Sequence, residues 1–269
     1  MSTAAGSFYV PLAKGRFRST ELTAGPWSTD AQHGGPPAAL LARTIEAGVD
    51  AEAGPSGIFA RLTFEILGPI PVGVLSVRTK TIRPGRRISL REAVLMDERD
   101  RPVMLCRAWR IATTDKLALP QDPKGAGGAL PGPEEGGEEP FFDAAPEVGY
   151  HHGIEARFVR GSWREPGPAA AWIRMRVPLL LGEEPSPLVR VLVVADSGNG
   201  VGGALDTSAW TFVNPETTVH LHAYPRGEWV GLESSAAVEA HGVGLTSTTI
   251  HDEGGPIGSA AQALLVAPR

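Results

Sequence analysis

Asp196 ends the apolar run Leu188-Val189-Arg190-Val191-Leu192-Val193-Val194-Ala195 and leads into Ser197-Gly198-Asn199-Gly200. A carboxylate at the edge of a core can take a proton from water or orient that water, provided polar partners hold it. The plainer reading is a solvated residue at the end of an element. Gly34 and Gly35 precede Pro36-Pro37 and a run of alanines and leucines, so their N–H groups could meet an oxyanion. Close packing of a helix on a sheet would call for glycine equally well. Arg83, Arg86 and Arg87 surround a Pro-Gly turn, where guanidinium groups could grip phosphates or lie solvated on a hairpin.

These side chains need elements to place them. Ser186 can cap a helix, Pro187 suits its first turn, and Gly198 or Gly200 could supply a left-handed exit, which predicts a helix over 187–197. The β-branched Val191, Val193 and Val194 keep a buried strand open as the alternative. His33-Gly34-Gly35-Pro36-Pro37 leads into a mostly buried helix over 35–47, ended by Gly48. Four strands follow at 58–67, 73–82, 87–96 and 102–111, separated by Gly-Pro, Pro-Gly and acidic turns. Between Thr113 and Gly149 the composition shifts to Pro, Gly, Glu and Ala, which reads as a linker. Extended segments near 151–160 and 170–177 precede the second helix. Strands near 209–223, 228–239, 242–251 and 257–266 come after it.

The order helix, then four strands, therefore occurs twice. Met96-Asp97-Glu98-Arg99-Asp100-Arg101-Pro102 aligns with His251-Asp252-Glu253-Gly254-Gly255-Pro256 with one residue deleted. Counting six past each proline sets Ala108 opposite Gln262. An amide in one copy against a small apolar residue in the other fits a duplication in which one copy keeps chemistry; a surface glutamine fits it too.

Composition excludes several classes. The 269 residues carry a formal net charge of −5 and no long basic run, which argues against nucleic acid or a membrane surface as partner. Met1-Ser2-Thr3-Ala4-Ala5-Gly6 is not a signal segment, and no apolar run reaches spanning length, so the expected location is the cytoplasm. Cys106 is the single cysteine, which excludes an internal disulfide. Gly198-Asn199-Gly200-Val201-Gly202-Gly203 has dinucleotide-fingerprint spacing but is followed by a short β-tending stretch instead of a long helix. No G-x-S-x-G pentapeptide occurs, which argues against a serine hydrolase elbow. His220-x-His222 lacks further ligands at familiar spacing, so structural or surface histidines are the better reading.

Taken together, the pieces resemble the double hot dog fold of acyl-CoA thioesterases. The likeness rests on residues 33–40, the Arg83-Pro84-Gly85-Arg86-Arg87 turn, Ala195-Asp196-Ser197-Gly198-Asn199-Gly200, Asn214-Pro215-Glu216-Thr217-Thr218-Val219-His220-Leu221, and the ending from Asp252 through Gln262. It implies an α+β protein of two hot dog repeats, each an antiparallel β-sheet wrapped around a central α-helix. The repeats would span residues 1–112 and 150–269, with 113–149 as the linker and the second repeat carrying the catalytic residues. In the related bacterial thioesterase II group, an Asp, a Thr or Ser, and a Gln hold the attacking water. By that resemblance Asp196 is the Asp and Gln262 the Gln, while Asn214 falls at the hydroxyl position. His33, Gly34, Gly35, Thr217, Thr218, Arg83, Arg86 and Arg87 are then expected to bind substrate, the arginines through the phosphates of coenzyme A. Hot dog hydratases pair an Asp with a nearby downstream His, and none follows Asp196 closely.

The resulting expectation is hydrolysis of an acyl-CoA thioester to free acid and CoA, with no metal or other cofactor. Its competitor is a protein that binds acyl-CoA or another apolar ligand without turnover. Edge strands could also pair two chains into a homodimer.

Overall fold

The computed structural model describes residues 6–50, 55–114, 117, 128–142 and 145–269. Residues 115–116, 118–127 and 143–144 of the stretch read as a linker lie outside the described residues. The first half contains β1 (Tyr9–Pro11), β2 (Arg16–Ser19), α1 (Gly35–Asp50), β3 (Gly57–Ile66), β4 (Val74–Arg83), β5 (Ile88–Met96) and β6 (Pro102–Ala112). The second contains β7 (Gly137–Glu138), α2 (Tyr150–Gly153), β8 (Ile154–Arg160), β9 (Ala169–Met175), α3 (Pro187–Ala195), α4 (Gly198–Val201), β10 (Trp210–Val213) and β11 (Glu216–Leu221). It closes with β12 (Val230–Val238), β13 (Val243–Asp252) and β14 (Gly255–Pro268).

The strands form one sheet in the order β1-β2-β4-β5-β6-β3-β11-β14-β13-β12-β9-β8-β7, with β10 also on β14. The pairings between these strands are antiparallel. The dinucleotide reading of the glycine run therefore lapses: among the described residues the strands form no parallel crossover sheet, and the glycines open a helix of four residues. With β10 and β11 taken as one strand divided at Pro215, in each half the strand before the long helix lies beside the second strand after it, followed by the third, fourth and first: β2-β4-β5-β6-β3 and β9-β12-β13-β14-β11. The halves meet where β3 pairs with β11, setting Phe64 opposite Thr217 and Leu62 opposite Val219.

The long helices pack against each other and on the sheet, α1 against β4, β5 and β6 and α3 against β9 and β12. Leu40, Leu41, Ala39 and Ala42 of α1 are buried, as are Leu188, Val191, Val193 and Val194 of α3. Fully burying each Leu or Val contributes roughly 1.5–3 kcal/mol, which outweighs the modest helix propensity of valine. The local signals operate as well: Ser186 Oγ accepts the Val189 N–H, and Pro187 occupies the first turn. α1 starts so close to α3 that a Cβ on Gly35 would sit 2.0 Å from the Val193 carbonyl oxygen. Close helix approach is thus the reason for glycine there.

Two expectations are corrected. Neither Gly198 nor Gly200 takes a left-handed φ; Asp196 stays right-handed at the end of α3, and the chain turns directly into α4. The segment near 209–223 is two strands, because Pro215 lacks the N–H a continuous ladder needs. The described second half of the Pro/Gly/Glu-rich stretch is also packed: it forms β7, gives the Pro131 carbonyl to the Trp172 indole at 2.6 Å, and buries Phe142.

Candidate active site

Asp196 stands at the end of α3 facing the start of α1. Its Oδ1 accepts three hydrogen bonds: from Asn214 Nδ2 at 2.7 Å, Thr217 Oγ1 at 3.1 Å and Gln262 Nε2 at 3.1 Å. Gln262 is fixed from both ends, since its Oε1 accepts the Asn199 N–H at 3.0 Å while Nε2 also reaches the Asp196 carbonyl at 3.2 Å. That pattern assigns its amide orientation. Asn214 follows β10, Thr217 lies on the inward face of β11 and Gln262 on β14, so the β10–β14 and β11–β14 pairings bring the three donors together.

The other carboxylate oxygen faces the first helix. Oδ2 lies 3.6 Å from His33 Nδ1, and a Cβ on Gly34 would come within 2.6 Å of it. His33 Nδ1 accepts the Gly35 N–H at 3.1 Å, so this nitrogen carries no proton and the ring is neutral with its proton on Nε2. Burial lowers the His33 pKa, and the Asp196 carboxylate only partly opposes that. The His33 ring stacks on Tyr150, with centroids 3.8 Å apart and planes within 1°. The Tyr150 hydroxyl donates to the Val193 carbonyl at 2.9 Å and lies 2.9 Å from Ser197 Oγ. Burial, its largest cause, raises the Tyr150 pKa and keeps the phenol protonated.

A cavity of about 520 Å³ opens in front of this cluster. His33, Gly34, Asp196 and Asn214 border it, and Trp27, Phe141, Phe142, Trp163 and Phe212 form its aromatic wall. Thr217 and Gln262 are buried behind the carboxylate. The arrangement is a carboxylate fixed by three donors at the end of an apolar cavity, suited to proton transfer beside a largely apolar substrate.

Other expected site residues lie elsewhere. Thr218 points to the opposite face of β11, where its hydroxyl donates to Glu216 at 3.1 Å and approaches Thr63. Arg83, Arg86 and Arg87 are not brought to Asp196. Arg83 bonds the Ile88 carbonyl within its own hairpin, Arg87 is exposed, and Arg86 lines a separate cavity. The expected hydroxyl position is also corrected: a hydroxyl does reach Asp196, and it belongs to Thr217, with Asn214 as an additional donor. Sequence reasoning missed Tyr150 and the aromatic wall. The available signal was the bunching of Phe141, Phe142, Tyr150, Phe158 and Trp163 in a chain with 6% aromatic residues.

Similar solved structures give the fold class. A proposed thioesterase from Novosphingobium aromaticivorans superposes with TM-score 0.73 at 17% identity, over 97% of this chain and 99% of that one. A proposed thioesterase II from Thermobifida fusca gives 0.71 at 16% identity, covering 97% and 96%. A hot dog fold protein of unknown function from Alicyclobacillus acidocaldarius gives 0.71 at 14%, covering 96% and 95%. These likenesses establish a hot dog fold of the α+β class. At the level of sequence, the acyl-CoA thioesterase N-terminal domain matches residues 23–111 and the acyl-CoA thioesterase C-terminal domain matches residues 133–266. The chain belongs to the acyl-CoA thioesterase family and is a thioester hydrolase. No curated protein sequence matches it significantly. Among the described residues, no helix is long and apolar enough to cross a membrane.

Proposed function

We propose that the protein hydrolyses acyl-CoA thioesters to the free acid and CoA, using a water activated by Asp196. The observation that supports this most is the convergence of Asn214, Thr217 and Gln262 on one oxygen of Asp196 at the cavity wall. Three donors fix the carboxylate, so its second oxygen is free to take a proton from a water poised against the thioester carbonyl. The water oxygen bonds to the carbonyl carbon, Asp196 takes the proton, and negative charge builds on the former carbonyl oxygen. Collapse expels the CoA thiolate, which recovers the proton.

The start of α1 supplies the electrostatic counterpart. Pro36 and Pro37 have no N–H, and the Gly35 N–H is committed to His33, so the Gly34 N–H is the backbone donor assigned to the developing oxyanion. The positive end of the helix macrodipole adds to it. The aromatic wall receives the acyl group.

In the same reading the chain is two hot dog repeats, residues 1–112 and 150–269, joined through 113–149. Pairing two chains through sheet edges into a homodimer belongs to this proposal too. The rival reading, binding without turnover, drew its support from an amide at the expected hydroxyl position. With the Thr217 hydroxyl beside Asp196, that support is withdrawn. A thiol-release assay across an acyl-CoA panel tests the proposal: hydrolysis of at least one acyl class is expected. Binding of acyl-CoA with no release at any chain length would overturn it.

A further inference from the structure

A second cavity, of about 800 Å³, lies at the far end of α1 and includes Arg86, Arg91 and Arg110 in its lining. Glu46 lies eleven residues beyond Gly35, which places it roughly 16 Å along the helix at 1.5 Å per residue. This cavity is therefore separate from the one at Asp196.

Its position follows from the strand registers. Leu62 pairs with Ala108 between β3 and β6, and Arg91 pairs with Ala108 between β5 and β6. In the second half Thr218 pairs with Ala261 between β11 and β14, and Thr246 pairs with Gln262 between β13 and β14. Aligning the halves on Pro102 and Pro256 makes Ala108 the counterpart of Gln262, Leu62 that of Thr217, and Phe59 that of Asn214. The helices correspond as well. Asp196, near the end of α3, meets His33 ahead of α1, whereas Glu46, near the end of α1, accepts a hydrogen bond from Ser186 ahead of α3 at 2.6 Å. Phe59 and Glu46 both line the second cavity, so it occupies the place in the first half that the Asp196 cavity occupies in the second.

The counterpart has lost the water-holding chemistry and carries a different one. Phenylalanine, leucine and alanine stand where Asn214, Thr217 and Gln262 stand, so the three side-chain donors that hold Asp196 have no equivalents at those positions of the first half. Among the described residues, the lining brings the guanidinium groups of Arg86, Arg91 and Arg110 and the carboxylate of Glu46 to one cavity. Arg91 is anchored by the Thr81 hydroxyl at 2.7 Å and Arg110 by the Pro55 carbonyl, which orders their guanidinium groups in advance. Val49, Phe59 and Tyr224 supply an apolar surface beside them. Ordered guanidinium groups next to apolar and aromatic side chains, in a cavity of this size, suit an organic phosphate.

We propose that this cavity is a second ligand site, which binds an organic phosphate of nucleotide size and does not hydrolyse it. The phosphates come either from a free nucleoside diphosphate or from the nucleotide end of CoA, and the chemistry that holds them is the same.

Isothermal titration of the full-length chain at low salt tests it, with ADP, CoA and inorganic phosphate as separate probes and with variants Asp196→Asn, Arg86→Glu and Arg110→Gln. ADP or CoA should saturate a site that Asp196→Asn leaves intact and that Arg86→Glu weakens by about tenfold or more, as loss of a charge-assisted phosphate contact requires. Saturation by ADP identifies free nucleotide chemistry as sufficient; saturation by CoA alone assigns the site to CoA. Arg86 is exposed, so its reversal leaves the core untouched, and Arg110→Gln provides the independent second reading. Absence of saturable binding by both ADP and CoA would overturn the proposal, as would binding that neither arginine variant weakens. Because the readout is binding, its result is distinct from success or failure of the hydrolysis assay.

Discussion

Thr217 and Gln262 reach the same oxygen of Asp196, each at 3.1 Å, from strands that are neighbours in the sheet. Asn214 closes the set from the cavity side, donating to that oxygen at 2.7 Å and to the Thr217 hydroxyl at 3.1 Å. The carboxylate is held by a network rather than by any one partner. Asp196→Asn keeps the shape and removes the base, so kcat for acyl-CoA hydrolysis should fall by roughly two to four orders of magnitude. Affinity for acyl-CoA should hardly change. Thiol release together with substrate titration checks both; near-full turnover in this variant would remove Asp196 from the chemistry.

Sharing one acceptor makes the donors interdependent. Thr217→Val and Gln262→Ala should each lower kcat by less than Asp196→Asn does. The double variant should depart from additivity by about 0.5–3 kcal/mol, as contacting residues in one network do. A double-mutant cycle on kcat/KM measures this coupling, and strict additivity would separate the two residues into independent roles.

Gly35, the first residue of α1, has no room for a side chain. A Cβ on Gly35 would meet the Val193 carbonyl oxygen at 2.0 Å, a backbone contact that only helix displacement could relieve. Gly35→Ala should cost at least about 1–3 kcal/mol, the usual penalty for overpacking a close-packed interior, and should lower Tm. Thermal unfolding gives the answer directly, and an unchanged Tm would mean that α1 and α3 can separate without cost.

Acid should weaken the fold through its histidines. Burial first, then the neighbouring His152, lowers the His151 pKa to about 4, and burial also lowers those of His33 and His251. In the unfolded chain these imidazoles gain protons near pH 6.5, so below that pH, and down to about 4 for His151, the unfolded state binds more protons. Their contribution is therefore complete above about 6.5 and is lost as the pH falls through that window. Urea unfolding midpoints measured from about pH 7.5 down to about 4.5 should decline, and His151→Gln should flatten part of the decline. Equal slopes in wild type and variant would assign the effect to other groups.

The aromatic wall should act on binding more than on chemistry. Phe142 and Trp163 line the cavity, with ring centroids 5.7 Å apart in an edge-to-face contact. Trp163→Ala should raise KM for acyl substrates severalfold while kcat holds, which steady-state kinetics on a series of acyl-CoAs will resolve.

Much of this was legible in the chain itself because it rests on local chemistry. Ser186-Pro187 marks the start of α3, and Pro36-Pro37 marks that of α1. The turns at Asp97 and Asp252 declare themselves through carboxylates that accept backbone N–H groups at 2.8–2.9 Å. What escaped was decided by tertiary geometry. The resemblance set Asn214 rather than Thr217 at the hydroxyl position, because nothing local reveals that these two residues, on either side of the break at Pro215, reach the same carboxylate. Arg83, Arg86 and Arg87 looked like phosphate ligands of the catalytic site, yet which end of α1 they adjoin depends on the packing of β4 and β5. Phe141 and Phe142 were hidden by composition, since their Pro-, Gly- and Glu-rich surroundings show no periodicity.

Those two phenylalanines make the two ends of the molecule unlike. Strands and long helices occur in matching order on both sides of the β3–β11 seam, but the chain that joins one side to the other occurs once. A part present in a single copy can cover only one of two corresponding openings. Here it lends Phe141 and Phe142 to the opening in front of Asp196, and so breaks the symmetry without altering a strand. Insertions and deletions in that joint give selection a way to reshape the substrate chamber while the scaffold stays as it is.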